Sequence, residues 1–140
     1  MKKIIFLYFL ISLFIIGQIF ADEVMVTIEI RGATINGGTV HGGIYSNTTY
    51  NTNNPPEYSF QGLPVNDTLN ISLQIPQGEY VIQVYQDTNN NGKLDFGLFN
   101  IPKEPIGISN WNGRGIPGNF NRHKVTINNG SKITVQLIPR

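Results

Sequence analysis

The chain has no cysteine in its 140 residues. This excludes a disulfide framework, a thiolate metal site, a cysteine nucleophile and a lipid-modified cysteine behind a leader. Charge is also scarce: Asp, Glu, Lys and Arg make up 14% of residues, and the formal net charge is +1. Lys2 and Lys3 supply two of the ten basic residues, so the chain beyond residue 21 carries eight basic and nine acidic residues, a formal charge of −1. That balance gives no electrostatic footprint for nucleic acid or for an anionic membrane surface. The two histidines, His41 and His123, lie neither at a paired metal-ligand spacing nor beside a nucleophile-elbow serine. Beyond residue 21 no helical apolar repeat persists for three turns, which argues against a substantial helix.

The one long apolar run stands at the start, "MKKIIFLYFLISLFIIGQIFA". Two lysines, an apolar stretch from Ile4 to Ile16 and a small residue at Ala21 follow the order of a secretory signal peptide, with polar Asp22 and Glu23 behind the expected cleavage point. The competing reading is an uncleaved anchor, because Ile4 to Phe20 is nearly long enough to span a bilayer. Cleavage after Ala21 is the expectation. It leaves a single domain at 22–140, periplasmic or extracellular, with no stable membrane insertion.

Within that domain apolar residues recur with the period of two that places one strand face on a core. Val24, Val26, Ile28 and Ile30 alternate with Met25, Thr27 and Glu29, as do Leu69, Ile71, Leu73 and Ile75 with Asn70, Ser72 and Gln74. Further strands are expected over 39–45, 58–61 and 80–85, the last with Tyr80, Ile82 and Val84 inward and Val81, Gln83 and Tyr85 outward. Two more are expected over 123–127 and 132–138, separated by the hairpin-type turn "NNGS". Residues 46–56 and 99–121 are too rich in Asn, Gly and Pro for regular structure. About seven short strands between turn signals indicate an all-β fold, an antiparallel two-sheet sandwich of the Ig-like or prealbumin-like kind.

The most specific chemical feature is "DTNNNGKLD". Asp87, Asn89, Asn91 and Asp95 present oxygen-bearing side chains at alternate positions, and Gly92 stands where the backbone must turn. Calcium takes six to eight hard oxygen ligands, and a tight loop with this alternation can aim them at one centre, with the carbonyl of Lys93 or the carboxylate of Glu104 assisting. The opening six positions match an EF-hand loop, but the twelfth is Leu98 where a bidentate Glu is required, and no flanking helices are expected. A full EF-hand is therefore rejected. What remains is a weak calcium loop or, equally, an Asx-rich turn held by side chain to backbone hydrogen bonds. Thr88 is expected to point away from the ligand positions.

The Gly- and Pro-rich segment that follows carries Trp111, the sole tryptophan, with Arg114 nearby. An aromatic flanked by polar groups stacks on a sugar or anchors a protein partner, or else it plugs the end of the sandwich. Asp87, Asp95 and Glu104 offer the carboxylates for a small secreted hydrolase, the alternative function from a different class. No nucleophile or acid–base signature accompanies them, so a non-catalytic binding or cell-envelope module is the preferred reading.

The residues "GEYVIQVYQDTNNNGKLDFGLFNIPKEPIGISN" resemble the exported bacterial proteins grouped as DUF2141. The family pattern runs Gly-x-Tyr, a strand ending in His-Asp, Asn-x-Asn-Gly-x-Leu-Asp, Gly-Ile-Pro-x-Glu-Pro and Gly-Phe-Ser-Asn. Gly78, Tyr80, Asp87, Asn89, Asn91, Gly92, Leu94, Asp95, Ile101, Pro102, Glu104 and Pro105 match it. Gln86 stands where the family tends to have His, Asn100 where it has Gly and Ile108 where it has Phe. The resemblance extends over about 24–138 and implies a sandwich of prealbumin or carboxypeptidase-regulatory type, with no established activity. The transthyretin-like hydroxyisourate hydrolases share a neighbouring fold, but they end in Tyr-Arg-Gly-Ser where this chain ends "LIPR". Fold alone transfers no function.

Overall fold

The computed structural model describes residues 22–140; the signal sequence expected over 1–21 lies outside the described residues. Two sheets face each other. The smaller holds β4 (Thr68–Pro76), β1 (Glu23–Arg31) and β8 (Ser131–Gln136) in that order, and the larger holds β3 (Tyr58–Gly62), β2 (Thr39–Tyr45), β5 (Gly78–Asp87) and β6 (Ile106–Ile108). A short β7 (Val125–Ile127) also pairs with the beginning of β5. The fold is thus the expected two-sheet β-sandwich, with eight strands.

The inner faces carry the period-two residues. Val24, Val26, Ile28 and Ile30 from β1 meet Val40 and Ile44 from β2 and Ile82 and Val84 from β5, all buried in one apolar cluster. Among the described residues no helix is long and apolar enough to cross a membrane.

Several local expectations need correction. Leu73 is only partly buried, because β4 is an edge strand of the smaller sheet. Val81 is fully buried although it faces outward: the larger sheet has a second apolar layer on its outer face, where Tyr50, Ile108, Trp111 and Phe120 pack with it. That layer gives structure to the segment read as irregular, which contains β6 and a single helical turn, α1 (Phe120–His123). His123 therefore ends a helix instead of starting a strand. Its Nε2 accepts the Gly118 N–H at 2.8 Å.

The "NNGS" turn joins no hairpin either, since β7 pairs with β5 while β8 runs parallel to β1 in the other sheet. The sandwich is accordingly not wholly antiparallel. Beyond β8 the chain crosses back, with Leu137 N–H bonding to Arg31 O and Ile138 exchanging bonds with Ile106, so the last residues tie the two sheets together.

Candidate functional site

Strand β5 delivers Asp87 to the end of the larger sheet, where the polar loop begins. Asp87 is 2% exposed, and its carboxylate accepts the Asn91 N–H at 3.1 Å on Oδ1 and the Gly92 N–H at 2.7 Å on Oδ2. Gly92 has φ of +80°, a left-handed conformation that costs a glycine nothing. Asn89 Oδ1 accepts Asn91 N–H at 3.2 Å and Asn91 Oδ1 accepts Lys93 N–H at 3.0 Å, two successive Asx turns. The side-chain amides of Asn89 and Asn91 then converge on Asp95, each donating to Oδ2 at 2.7 Å. These two bonds, with lesser help from the charges of Lys93 and Lys103, hold the Asp95 carboxyl below the ordinary range. Lys93 Nζ lies 3.9 Å from Asp95 Oδ1.

Glu104 closes the loop from below. Only 2% exposed, it accepts Thr88 N–H at 2.9 Å and Thr88 Oγ1–H at 3.3 Å on Oε1, and Asp95 N–H at 3.1 Å on Oε2. One buried carboxylate thus fixes both ends of the loop, and Lys103 N–H adds a bond to Asp95 O at 2.9 Å. Thr88 does not point away; its hydroxyl belongs to this clamp.

Two carboxylates and two amide oxygens are hard donors of the kind calcium takes, and apart from Asp95 Oδ2, which already accepts two N–H groups, each keeps a free lone pair. The charge is modest, and among the described residues no group of three or more His, Asp or Glu side chains is arranged to hold a metal ion. A bound cation would have to displace the Asn89 and Asn91 N–H donors from Asp95 Oδ2. As the loop stands, it is a self-satisfied turn.

Gln86, standing where the resembling family tends to have His, has a structural role that the sequence did not disclose. Fully buried, it accepts Thr34 N–H at 2.9 Å and donates from Nε2 to Thr34 O at 2.7 Å and Gly38 O at 3.2 Å. It pins the turn between β1 and β2 against the same end of the sandwich. A Cβ on Gly38 would lie 1.8 Å from Asp87 O, so that turn must stay glycine for the polar loop to start where it does.

Trp111 is 8% exposed and packed in the outer apolar layer, with its Nε1–H on Arg114 O at 3.3 Å and the Arg140 guanidinium 5.4 Å from its ring centroid. Arg114 is exposed on the loop, its N–H bonded to Asn112 Oδ1 at 3.0 Å. Neither is near Asp87 in the sheet: Trp111 follows β6 toward α1, on the other side of the outer layer. The open aromatics lie elsewhere. Tyr45 on β2 and Tyr85 on β5 face outward, and His41 stacks on Tyr85 with ring centroids 5.1 Å apart. Burial, followed by the charges of Asp87 and Glu104, raises the Tyr85 phenol above its ordinary value. Strand alternation was the signal that could have found this face, since His41, Gly43 and Tyr45 share a phase and pair with Tyr85, Gln83 and Val81.

The fold and the clamped loop together define a small two-sheet β-sandwich with one Asx-rich end. Residues 28–135 match the family described as "Uncharacterized protein conserved in bacteria (DUF2141)". The chain belongs to that family. No curated protein and no solved structure matches it.

Proposed function

We propose that this chain is a non-catalytic binding or cell-envelope module, exported to the periplasm or the cell exterior, with loop 87–95 as a calcium-responsive brace. The observation that carries the reading is how the carboxylates are used. Asp87 and Glu104 are buried and bonded to backbone N–H groups, and Asp95 accepts two side-chain amides. An acid–base pair for hydrolysis needs carboxyl groups free to face a substrate across a gap. Here they are spent on holding the chain. Export rests on the charged, apolar and small-residue order of 1–21, and the finer likeness to prealbumin sandwiches rests on the family resemblance.

Calcium affinity with two carboxylates falls in the range of extracellular modules, a Kd of about 10⁻⁴–10⁻³ M. At ten times Kd a ligand specific to the native state adds about 1.4 kcal/mol, a few degrees of Tm. The test is a set of thermal melts in millimolar calcium and in chelator. Asp87→Ala should remove the calcium-dependent increment, and Asn90→Gly, at an exposed position with φ of +54° and no clamp bond, should keep it. Equal wild-type midpoints in the two buffers would refute the calcium brace. Mass spectrometry of the exported chain should find Asp22 at its N-terminus. Turnover of a glycoside, ester or peptide that Asp95→Asn abolishes would instead establish the hydrolase.

A further inference from the structure

The outer face of the larger sheet carries a recess away from the clamped carboxylates. It runs across β2 and β5 in two adjoining parts, of about 390 and 330 Å³, which share Gly42, Gly43, Tyr45 and Tyr85. We propose that it is a binding site for a neutral oligosaccharide. The proposal rests on the binding-module reading and names the ligand class.

Tyr45 pairs with Val81, four strand positions from Tyr85. The strand positions of Tyr45 and Tyr85 are offset by roughly 13 Å along the sheet, and the Tyr45 ring leans back over Gly43 toward Tyr85, so the two phenols line one continuous patch. A Cβ on Gly43 would approach Tyr45 Cε2 to 2.8 Å and Pro56 Cβ to 3.0 Å, so the missing side chain lets the Tyr45 ring lean over the sheet. The far wall is Phe96, 47% exposed, brought over β5 and β6 by the clamped loop.

Aromatic faces with polar neighbours match the alternation of C–H faces and hydroxyls on a pyranose. The polar lining is His41, Ser59, Gln61, Gln83 and the phenols, and no Lys, Arg, Asp or Glu side chain lines either part. An acidic glycan would find no Lys or Arg to pair with its carboxylates. The recess lies on a sheet face whose backbone groups are already paired in the ladders of β2 with β3 and β5, so an extended peptide cannot bind by adding a strand.

The experiment titrates ¹⁵N-labelled residues 22–140 with neutral hexasaccharides (β-1,4-glucan, β-1,3-glucan, xylan, mannan and chitin types) and with an acidic control, oligogalacturonate. At least one neutral probe should bind saturably, with shifts centred on Gly43, Gln83 and Tyr85. Tyr85→Ala and Phe96→Ala, each checked for a dispersed spectrum, should weaken it roughly five- to tenfold, whereas Tyr85→Phe should retain most of the affinity. Phe96 sits in a loop, so its variant tests the site even if the strand substitution unfolds the domain. No binding by any neutral probe, or binding that ignores both alanine variants, overturns the proposal. Binding of the acidic control alone, insensitive to Tyr85→Ala, leaves a binding module but removes this site. Release of new reducing ends in the same samples overturns the non-catalytic reading while the groove stands.

Discussion

Replacing Glu104 by alanine removes the only acceptor for two backbone N–H groups, those of Thr88 and Asp95, and for the Thr88 hydroxyl. Thr88 is exposed and Asp95 half-buried, so water reaches the freed donors in part, and the loss is that of the hydrogen bonds themselves, at most about 1.5–3 kcal/mol for each bond to a charged group. Thr88 and Asp95 stand at opposite ends of the same loop, so the losses fall on one element and come to roughly 2–4 kcal/mol. Glu104→Gln keeps one carbonyl oxygen but turns an NH₂ toward the other donor, so a smaller loss of roughly 1–2 kcal/mol is expected. Urea unfolding followed by circular dichroism gives both values, and an unchanged m would show that the unfolded reference is the same. The Thr88 and Asp95 amides should also lose protection from exchange while the β1 amides keep theirs. A loss below about 0.5 kcal/mol for Glu104→Ala, the size of an ordinary surface change, would mean that the loop holds itself and the clamp argument is wrong.

Val84 is 3% exposed between the sheets, and Val84→Ala should lower stability by about 1–3 kcal/mol; an unmoved urea midpoint would contradict its place in the core. Gln86→Ala strands the Thr34 N–H and two carbonyls and should lower stability by roughly 2–4 kcal/mol, read from the same curves. Asp95 titrates below its ordinary 3.8 in the folded chain. Its stabilising contribution is therefore complete above the unfolded value and is lost as the pH falls through the folded one. Stability should decline on the acid side of about 3.8 more steeply in the wild type than in Asp95→Asn, and parallel pH profiles would refute the bonds from Asn89 and Asn91.

The strands were legible because their signal is local. Val24 to Ile30 and Leu69 to Ile75 alternate, and the structure places β1 and β4 at those positions. Turn chemistry was equally local, so Asp87, Asn89 and Asn91 at alternate positions, with Gly92 directly behind them, marked a tight turn. Pairing is not local. "NNGS" carries every sign of a hairpin, yet Ile28 and Ile133 stand side by side in a parallel pair, because which strands meet is decided by how two apolar faces close over one another. The outer layer was hidden for a related reason: Tyr50, Val81, Ile108, Trp111 and Phe120 are scattered in sequence, and only the folding of these distant segments over β5 gives Val81 something to be buried against.

Residues alone therefore determined the positions of β1 to β5, the family and the chemical character of loop 87–95. Tertiary structure decided what those groups do. Glu104 and Gln86 are polar residues whose sequence neighbourhoods say nothing of their partners, 16 and 52 residues away. They became a clamp and a pin only when the chain folded over them, burying both side chains and bringing the backbone of Thr88, Asp95 and Thr34 within hydrogen-bond reach.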